Sequence, residues 1–275
     1  MQSLRIILMS ILYGAVQGIT EWLPISSTGH LLLVDAILGF PLPHQSNEFR
    51  ELFFVFIQLG SILAVAVVFW HELNPFSVRK SKEEKKNICL LWLKVALAEI
   101  PLVVIALMLD NLISKYLSGV PTVAVTLLIY GVAFILVERQ KRDDGYNAIT
   151  FPKAAAIGLF QALSCIPGTS RSGSTILGGM LIGVRRSTAA EFSFFLAIPT
   201  MTGASLLKAQ DYISKYGFTF TAEQTLALTV SAVTAFAVSL LVIRFLMDFV
   251  KKHKMTAFGI YRIVLAVIII IFLIL

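Results

Sequence analysis

The sequence predicts an all-α integral membrane protein built as an inverted repeat. Each unit is one re-entrant helical hairpin plus three transmembrane helices, which makes six spans and two re-entrant hairpins in all. Three observations carry that expectation. The 275-residue chain is 57% hydrophobic and 14% charged, with a mean hydropathy of +0.84, whereas a soluble domain carries charge on about a quarter of its residues. Six apolar stretches reach the ~20 residues that a hydrocarbon core requires. Two further apolar pieces run instead into clusters of Pro, Gly, Ser and Thr.

In chain order, the first piece, 4–22, meets "EWLPISSTGH" (21–30) and continues as 27–40. It has a single early basic residue, Arg5, and no small-x-small pattern before the polar cluster, so it reads as mature protein and not as a signal peptide. Spans follow at 50–71, 88–109 and 119–138. The second piece, 151–166, meets "PGTSRSGST" (167–175) and continues as 171–183, followed by spans at 188–208, 223–247 and 256–275. The two cysteines, Cys89 and Cys165, supply neither a disulfide framework nor a metal quartet.

The net charge of +7 follows topology and implies no nucleic-acid partner. Arg79, Lys80, Lys82, Lys85 and Lys86 share one loop, Arg139, Lys141, Arg142 and Lys153 a second, Arg185 and Arg186 a third, and Lys251, Lys252 and Lys254 a fourth. If both hairpins return to the side they entered, these four loops share one face, and the positive-inside rule makes it cytoplasmic. The opposite loops hold Arg5, Arg50, Lys115, Lys208 and Lys215, and both termini lie outside. Loop parity is the same if either hairpin is a pair of spans, so charge reads orientation and not re-entrance.

The repeat is visible in register. A shift of 144 brings Gly14 onto Gly158, Gln17 onto Gln161, Ser26 onto Ser170, Thr28 onto Ser172 and Gly29 onto Gly173. A shift of 143 brings Glu48-Phe49 onto Glu191-Phe192 and Gly60 onto Gly203. A single membrane domain, 1–275, thus divides into repeat 1 (1–138) and repeat 2 (151–275). Three spans is an odd number, so the second copy is upside down and the two hairpin tips meet near the middle.

At the first tip Pro24 ends one half-helix and Ser26, Ser27 or Thr28 caps the next. The second tip repeats the arrangement and adds Arg171. Two helix N-termini with free N–H groups and one guanidinium describe a receptor for phosphate or diphosphate. Ser26, Thr28, Gly29, Thr169, Ser170, Ser172, Gly173 and Ser174 are its candidate binding residues. Gln17 and Glu21, four apart on one helix face, are candidate oxygen ligands for a hard divalent cation, Mg²⁺ or Ca²⁺. His30 follows Ser27 by three residues, so imidazole and hydroxyl share one side of the helix and suit acid–base and nucleophilic roles. Ser27, His30, Glu21 and Arg171 are therefore the candidate catalytic residues.

"QGITEWLPISSTGHLLLV" (17–34), "FIQLGSILAVAVVFW" (56–70), "PGTSRSGSTILGGMLIGV" (167–184) and "EFSFFLAIPTMTGA" (191–204) resemble the undecaprenyl-diphosphatase family, also called bacitracin-resistance proteins. The resemblance covers nearly the whole chain. It implies a bacterial cytoplasmic-membrane enzyme that removes the terminal phosphate of undecaprenyl diphosphate and recycles the lipid carrier of cell-wall synthesis. It also implies the inverted repeat and a site open to the outside. The family's acidic motif falls on Gln17 and Glu21, its Ser/Thr-Gly-His element on Ser26, Ser27, Thr28 and His30, and its second-motif arginine on Arg171. Gln17 stands where the family also allows Glu, so one anionic metal ligand is missing.

The expected partners are a polyprenyl diphosphate lipid and the bilayer, with a homodimer left open. A transporter or flippase of anionic prenyl lipids, or a pore, would need the same anion receptor without the hydroxyl–imidazole pair. Three routes stay open for the enzyme: Ser27 attacking with His30 as base, His30 attacking, or a metal-bound water attacking. The first is the working expectation. Glu99 is set outside the site, protonated or paired with Arg262 or Arg244; Phe192, Phe194 and Phe195 line a prenyl groove or simply pack; 139–145 is a solvated loop.

Overall fold

The computed structural model describes residues 2–117, 119–140 and 148–274. Their regular elements are helices, with no β-strand among the described residues. Helices α1 (Gln2–Thr20), α2 (Ser27–Leu38), α3 (Asn47–Val68), a short α4 (Trp70–Leu73), α5 (Lys82–Tyr116) and α6 (Val120–Gln140) make the first half. The second half runs through α7 (Phe151–Ala162), a 3-10 turn (Leu163–Cys165), α8 (Arg171–Leu181), α9 (Arg186–Tyr216), α10 (Ala222–Lys252) and α11 (Thr256–Ile274). Residues 141–147, most of the expected loop at 139–145, lie outside the described residues.

Six helices are long and apolar enough to cross a membrane, though they are not quite the expected six. α3, α5, α6, α9 and α10 match. Ser3–Thr20 of α1 also qualifies, because its glycines do not interrupt the helix, whereas Thr256–Phe272 of α11 belongs with the shorter apolar helices. α5 starts earlier than its apolar run because Ser81 and Glu84 form a capping box within the basic loop. Thr221 and Gln224 do the same for α10.

Both helix pairs break where expected. α1 stops at Thr20, the residue whose carbonyl the ring of Pro24 would strike in a continued helix. The chain then turns back, for Tyr13 Oη lies 3.1 Å from Asp35 Oδ1 and 3.2 Å from the Gly39 carbonyl, at the far end of α2. Asp35 also pairs with Arg50. In the second pair α8 folds back on α7 so closely that a Cβ on Gly178 would stand 2.3 Å from the Phe160 ring.

Close approach through glycine organises the rest, as it does where helices associate in lipid. A Cβ on Gly14 would stand 2.3 Å from the Ser231 carbonyl of α10, and one on Gly158 2.3 Å from the Ala98 carbonyl of α5. Gly131 and Gly259 mark the crossing of α6 and α11, each against the other's carbonyl.

The basic loops gather at one end of the molecule. Arg186 Nη1 donates to Glu138 Oε1 (2.9 Å) and to the His253 carbonyl (2.8 Å), while Lys80, Ile149 and Thr188 line one cavity there. Lys141 and Arg142 lie outside the described residues. At the other end Lys215 pairs with Glu48, Lys208 with Glu51, and Gln224 with Gln45.

Candidate active site

Ser26 caps α2 from an unusual backbone conformation, φ 75° and ψ 97°, and its Oγ accepts from the Gly29 amide at 3.3 Å. Ser170 caps α8 in the same way, with φ 68° and ψ 121°, accepting from Gly173 at 3.1 Å. Positive φ outside glycine is rare, and such strain costs of order 1–3 kcal/mol per residue, so the surroundings must hold it in place. Each cap leaves the first amides of its helix, at Ser27 and Thr28 or at Arg171 and Ser172, without an acceptor inside the helix.

The holding group is Arg262 of α11, which is fully buried. Its Nη1 donates to the Pro24 carbonyl (3.1 Å), and its Nη2 to the carbonyls of Gly168 (3.0 Å) and Thr169 (2.9 Å). One guanidinium therefore grips both tips just upstream of the two strained serines. Its charge is met by backbone carbonyls and by the Tyr130 ring, 5.2 Å from the guanidinium carbon. Gly173 makes this possible, since a Cβ there would stand 2.7 Å from Arg262 Nη1. Ser172 adds a direct link between tips, its Oγ donating to the Glu21 carbonyl at 3.0 Å.

The functional side chains converge on Glu21, which is buried. Its Oε2 accepts from Ser27 Oγ at 2.8 Å and from Gln17 Nε2 at 3.0 Å; its Oε1 faces Arg171 Nη2 at 3.4 Å. Arg171 is steadied by the Ser193 carbonyl, 2.7 Å from Nη1, and its Nε is buried without a hydrogen-bond partner. Thr175 Oγ1 braces the same corner, 2.8 Å from the Arg171 carbonyl and 2.7 Å from Ser193 Oγ. Glu21, Ser27, Thr28, Ser170 and Arg171 line one cavity of about 480 Å³. Its apolar wall includes Leu102, Val103 and Leu107 of α5 and Met201 and Leu207 of α9, all in the halves of those helices remote from the basic loops. A cavity with an anion-receiving floor and an aliphatic wall suits a lipid that ends in phosphate.

A family model described as bacitracin resistance protein BacA matches residues 10–268. The chain belongs to the BacA family. It is 48% identical over 270 residues to undecaprenyl-diphosphatase 1 of Clostridioides difficile, covering 97% of this chain and 96% of that one. It is 50% identical over 268 residues to an undecaprenyl-diphosphatase of Streptococcus thermophilus (96% and 92% covered), and 46% identical over 266 residues to one of Enterococcus faecalis (95% of each).

Within this BacA-family chain several expected site residues take other positions than spacing suggested. His30 does share a helix with Ser27, yet its Nδ1 lies 2.7 Å from the Ser26 carbonyl and its Nε2 2.7 Å from Tyr261 Oη, with the two rings stacked. The Ser27 hydroxyl turns the other way, onto Glu21. A residue at the fourth position of a helix reaches back to the cap carbonyl, while one at the first position faces the break before it. Ser174 spends its hydroxyl on the Arg171 carbonyl (3.0 Å), Thr169 is buried, and Gly29 and Gly173 give amides to the caps. Gln17 presents nitrogen to Glu21 while its Oε1 is buried without a hydrogen-bond partner.

Sequence reasoning left out Tyr261 and Ser193, offered Arg262 only as a partner for Glu99, and placed Glu99 outside the site. Glu99 lines the same cavity as Arg171 and is held by Thr200 Oγ1 at 3.0 and 2.8 Å, not by Arg262 or Arg244. A charged residue inside an apolar helix was the available signal for both Arg262 and Glu99. Phe194 packs edge-on against Trp22 and Phe195 against Phe69, each at 5.3 Å, and Phe192 is buried with them in the core.

Proposed function

We propose that this chain is a membrane phosphatase that hydrolyses undecaprenyl diphosphate to undecaprenyl phosphate and inorganic phosphate, returning the lipid carrier to cell-wall synthesis and conferring bacitracin resistance. The junction at Glu21 carries the reading: one carboxylate holds the Ser27 hydroxyl on one oxygen and faces Arg171 with the other, within a cavity that has a polar floor and an aliphatic wall. Ser27 Oγ attacks the terminal phosphorus and passes its proton to Glu21. Arg171, its Nε free of other partners, and the first amides of α2 and α8 meet the charge that gathers on the phosphoryl oxygens. His30 orients the first tip through the Ser26 carbonyl. A flippase would use the same anion receptor but has no need of a hydroxyl held on a carboxylate.

Gln17 and Glu21 fit a weakly held divalent cation. Gln17 gives its amide nitrogen to the Glu21 carboxylate and leaves its amide oxygen buried and unpartnered, so turning the amide over would set two oxygen ligands together, although no cluster of three or more His, Cys, Asp or Glu residues occurs among the described residues. Mg²⁺ or Ca²⁺ held there would keep several ligands from water and phosphate, and it would supply charge neutralisation at the phosphoryl group.

The architecture belongs to the same proposal. The hairpins α1–α2 and α7–α8 are re-entrant, the halves 1–138 and 151–275 are inverted copies, and the basic end faces the cytoplasm, so the cavity opens outward. The matched caps at Ser26 and Ser170 and the clustering of basic loops at one end support this. Two experiments test the proposal. Purified protein given undecaprenyl diphosphate in detergent should release inorganic phosphate and Ser27→Ala should not; release by neither would overturn the activity. In cells, a lone cysteine at Lys215 should react with an impermeant thiol reagent and one at Lys82 should not, and the reverse pattern would overturn the orientation.

A further inference from the structure

We propose that Glu99 is the second catalytic group of this site, a carboxylic acid that gives its proton to the departing prenyl phosphate and takes one back from the attacking water. The proposal rests on the reading that Ser27 becomes phosphorylated. It starts from a count of protons. Thr200 Oγ1 lies 3.0 and 2.8 Å from the two oxygens of Glu99 and 2.8 Å from the Leu196 carbonyl. One hydroxyl has one proton for three oxygen neighbours. If Thr200 donates to Leu196, the usual back-bond to the fourth preceding carbonyl, a Glu99 oxygen must itself donate to Thr200. A neutral Glu99 satisfies that geometry; an ionised one would draw the Thr200 proton to itself and leave the Leu196 carbonyl to its helix amide.

The position of Glu99 relative to the repeat makes the same point. In the first tip the buried Gln17 sits beside Glu21, four residues on. In the second tip Gln161 is equally buried but the residue four on is Cys165, and the nearby carboxyl is Glu99, brought in from α5. Arg171 lies within electrostatic reach of both carboxyl groups, and all three line the one cavity. Both carboxyl groups, Glu21 at the first tip and Glu99 from α5, come from the first half of the chain and face the cavity that would take the phosphate. The one on Ser27 is placed to accept a proton, and the one held by Thr200 to give one.

The chemistry balances. As the Ser27 Oγ–phosphorus bond forms, the serine proton passes to Glu21. The bond between the terminal phosphorus and the bridging oxygen breaks, and that oxygen takes the proton of Glu99 and leaves as prenyl monophosphate. Water then attacks the phosphoserine and gives a proton to Glu99. The Oγ–phosphorus bond breaks, Oγ recovers the proton held by Glu21, and inorganic phosphate departs. Prenyl phosphate is a fair leaving group without full protonation, so water activation depends on Glu99 more than the first transfer does.

The test uses Glu99→Gln in the full-length detergent-solubilised protein with undecaprenyl diphosphate. Turnover should fall by about 10²- to 10⁴-fold, and acid-stable phosphoserine should accumulate at Ser27 because its hydrolysis is the slower step. The infrared carbonyl band of a protonated carboxylic acid, present in the wild type, should be missing. Thr200→Val, which keeps the shape and removes the hydroxyl, should shift that band, and it decides the matter if Glu99→Gln fails to fold. Turnover of Glu99→Gln within threefold of wild type, or an acid band unmoved in both variants, would overturn the proposal. Failure of the underlying reading looks different: Ser27→Ala would then remain active whatever Glu99→Gln does.

Discussion

At the first hairpin tip Ser26 caps a helix whose opening residue is Ser27; at the second, Ser170 caps a helix whose opening residue is Arg171. The backbones match, down to the positive φ of the cap and its bond from the glycine three residues on. The side chains diverge. The first tip carries a hydroxyl held on a carboxylate, and the second carries the cation that faces the same carboxylate. One backbone device occurs at both tips, and the side chains that open the two helices differ. The same contrast appears in the packing that follows, where Gly60 of α3 is pressed on the Ala232 carbonyl and Gly203 of α9, which the sequence register aligns with it, has nothing within 4 Å. Gly203 lines the cavity. The cavity is open beside Gly203, where the close contact made at Gly60 has no counterpart.

The largest effect expected from breaking this comparison is at Glu21. Glu21→Gln keeps the volume and a hydrogen bond to Ser27 but removes the base and the partner of Arg171. Phosphate release should fall by about 10²- to 10⁴-fold; a fall below fivefold would mean that the serine proton goes elsewhere. At the opposite tip, Arg171→Lys keeps charge and loses the planar fork. A charge-assisted hydrogen bond is worth about 1.5–3 kcal/mol, so turnover should drop by about 10- to 150-fold, and further in Arg171→Ala. Near-wild-type turnover of well-folded Arg171→Ala would remove the second tip from phosphate binding.

Much of this division was legible in sequence. The two Pro/Ser/Gly clusters fixed where the half-helices break, the register shift of 144 paired the caps, and Arg171 stood out as a cation between apolar runs. What spacing missed lies in contacts between distant segments. His30 finds Tyr261 across 231 positions, and Arg262 bridges tips 144 residues apart from a third helix. Helical periodicity states which residues share a face, but not which of two neighbours a polar group on that face will choose. Glu99 was misplaced for the same reason, as nothing local to α5 shows that α9 brings Thr200 to it.

A smaller effect sharpens the packing half of the comparison. Gly60→Ala places a Cβ 2.3 Å from the Ala232 carbonyl, and such overpacking costs about 1–3 kcal/mol, so the thermal midpoint should fall. Gly203→Ala meets no neighbour and gains up to about 1 kcal/mol of helix propensity, so its midpoint should hold or rise. Equal destabilisation by both would show that the second copy is as tightly packed as the first. The smallest effect concerns metal. Gln17→Glu adds a second anionic oxygen beside Glu21 and should lower the Mg²⁺ or Ca²⁺ concentration for half activation several-fold with little change in maximal rate. An unchanged metal titration would remove Gln17 and Glu21 from cation binding.

The central claim is that the Ser27 hydroxyl, held by Glu21 and not by His30, is the nucleophile. The direct measurement is the position of the phosphate in enzyme quenched during turnover of undecaprenyl diphosphate, read by peptide mass spectrometry after acid and after alkaline treatment. The expected result is an acid-stable phosphoserine at Ser27, more abundant in Glu99→Gln and absent from Ser27→Ala. An acid-labile phosphate on His30, or steady turnover by Ser27→Ala with no phosphoenzyme, would contradict it.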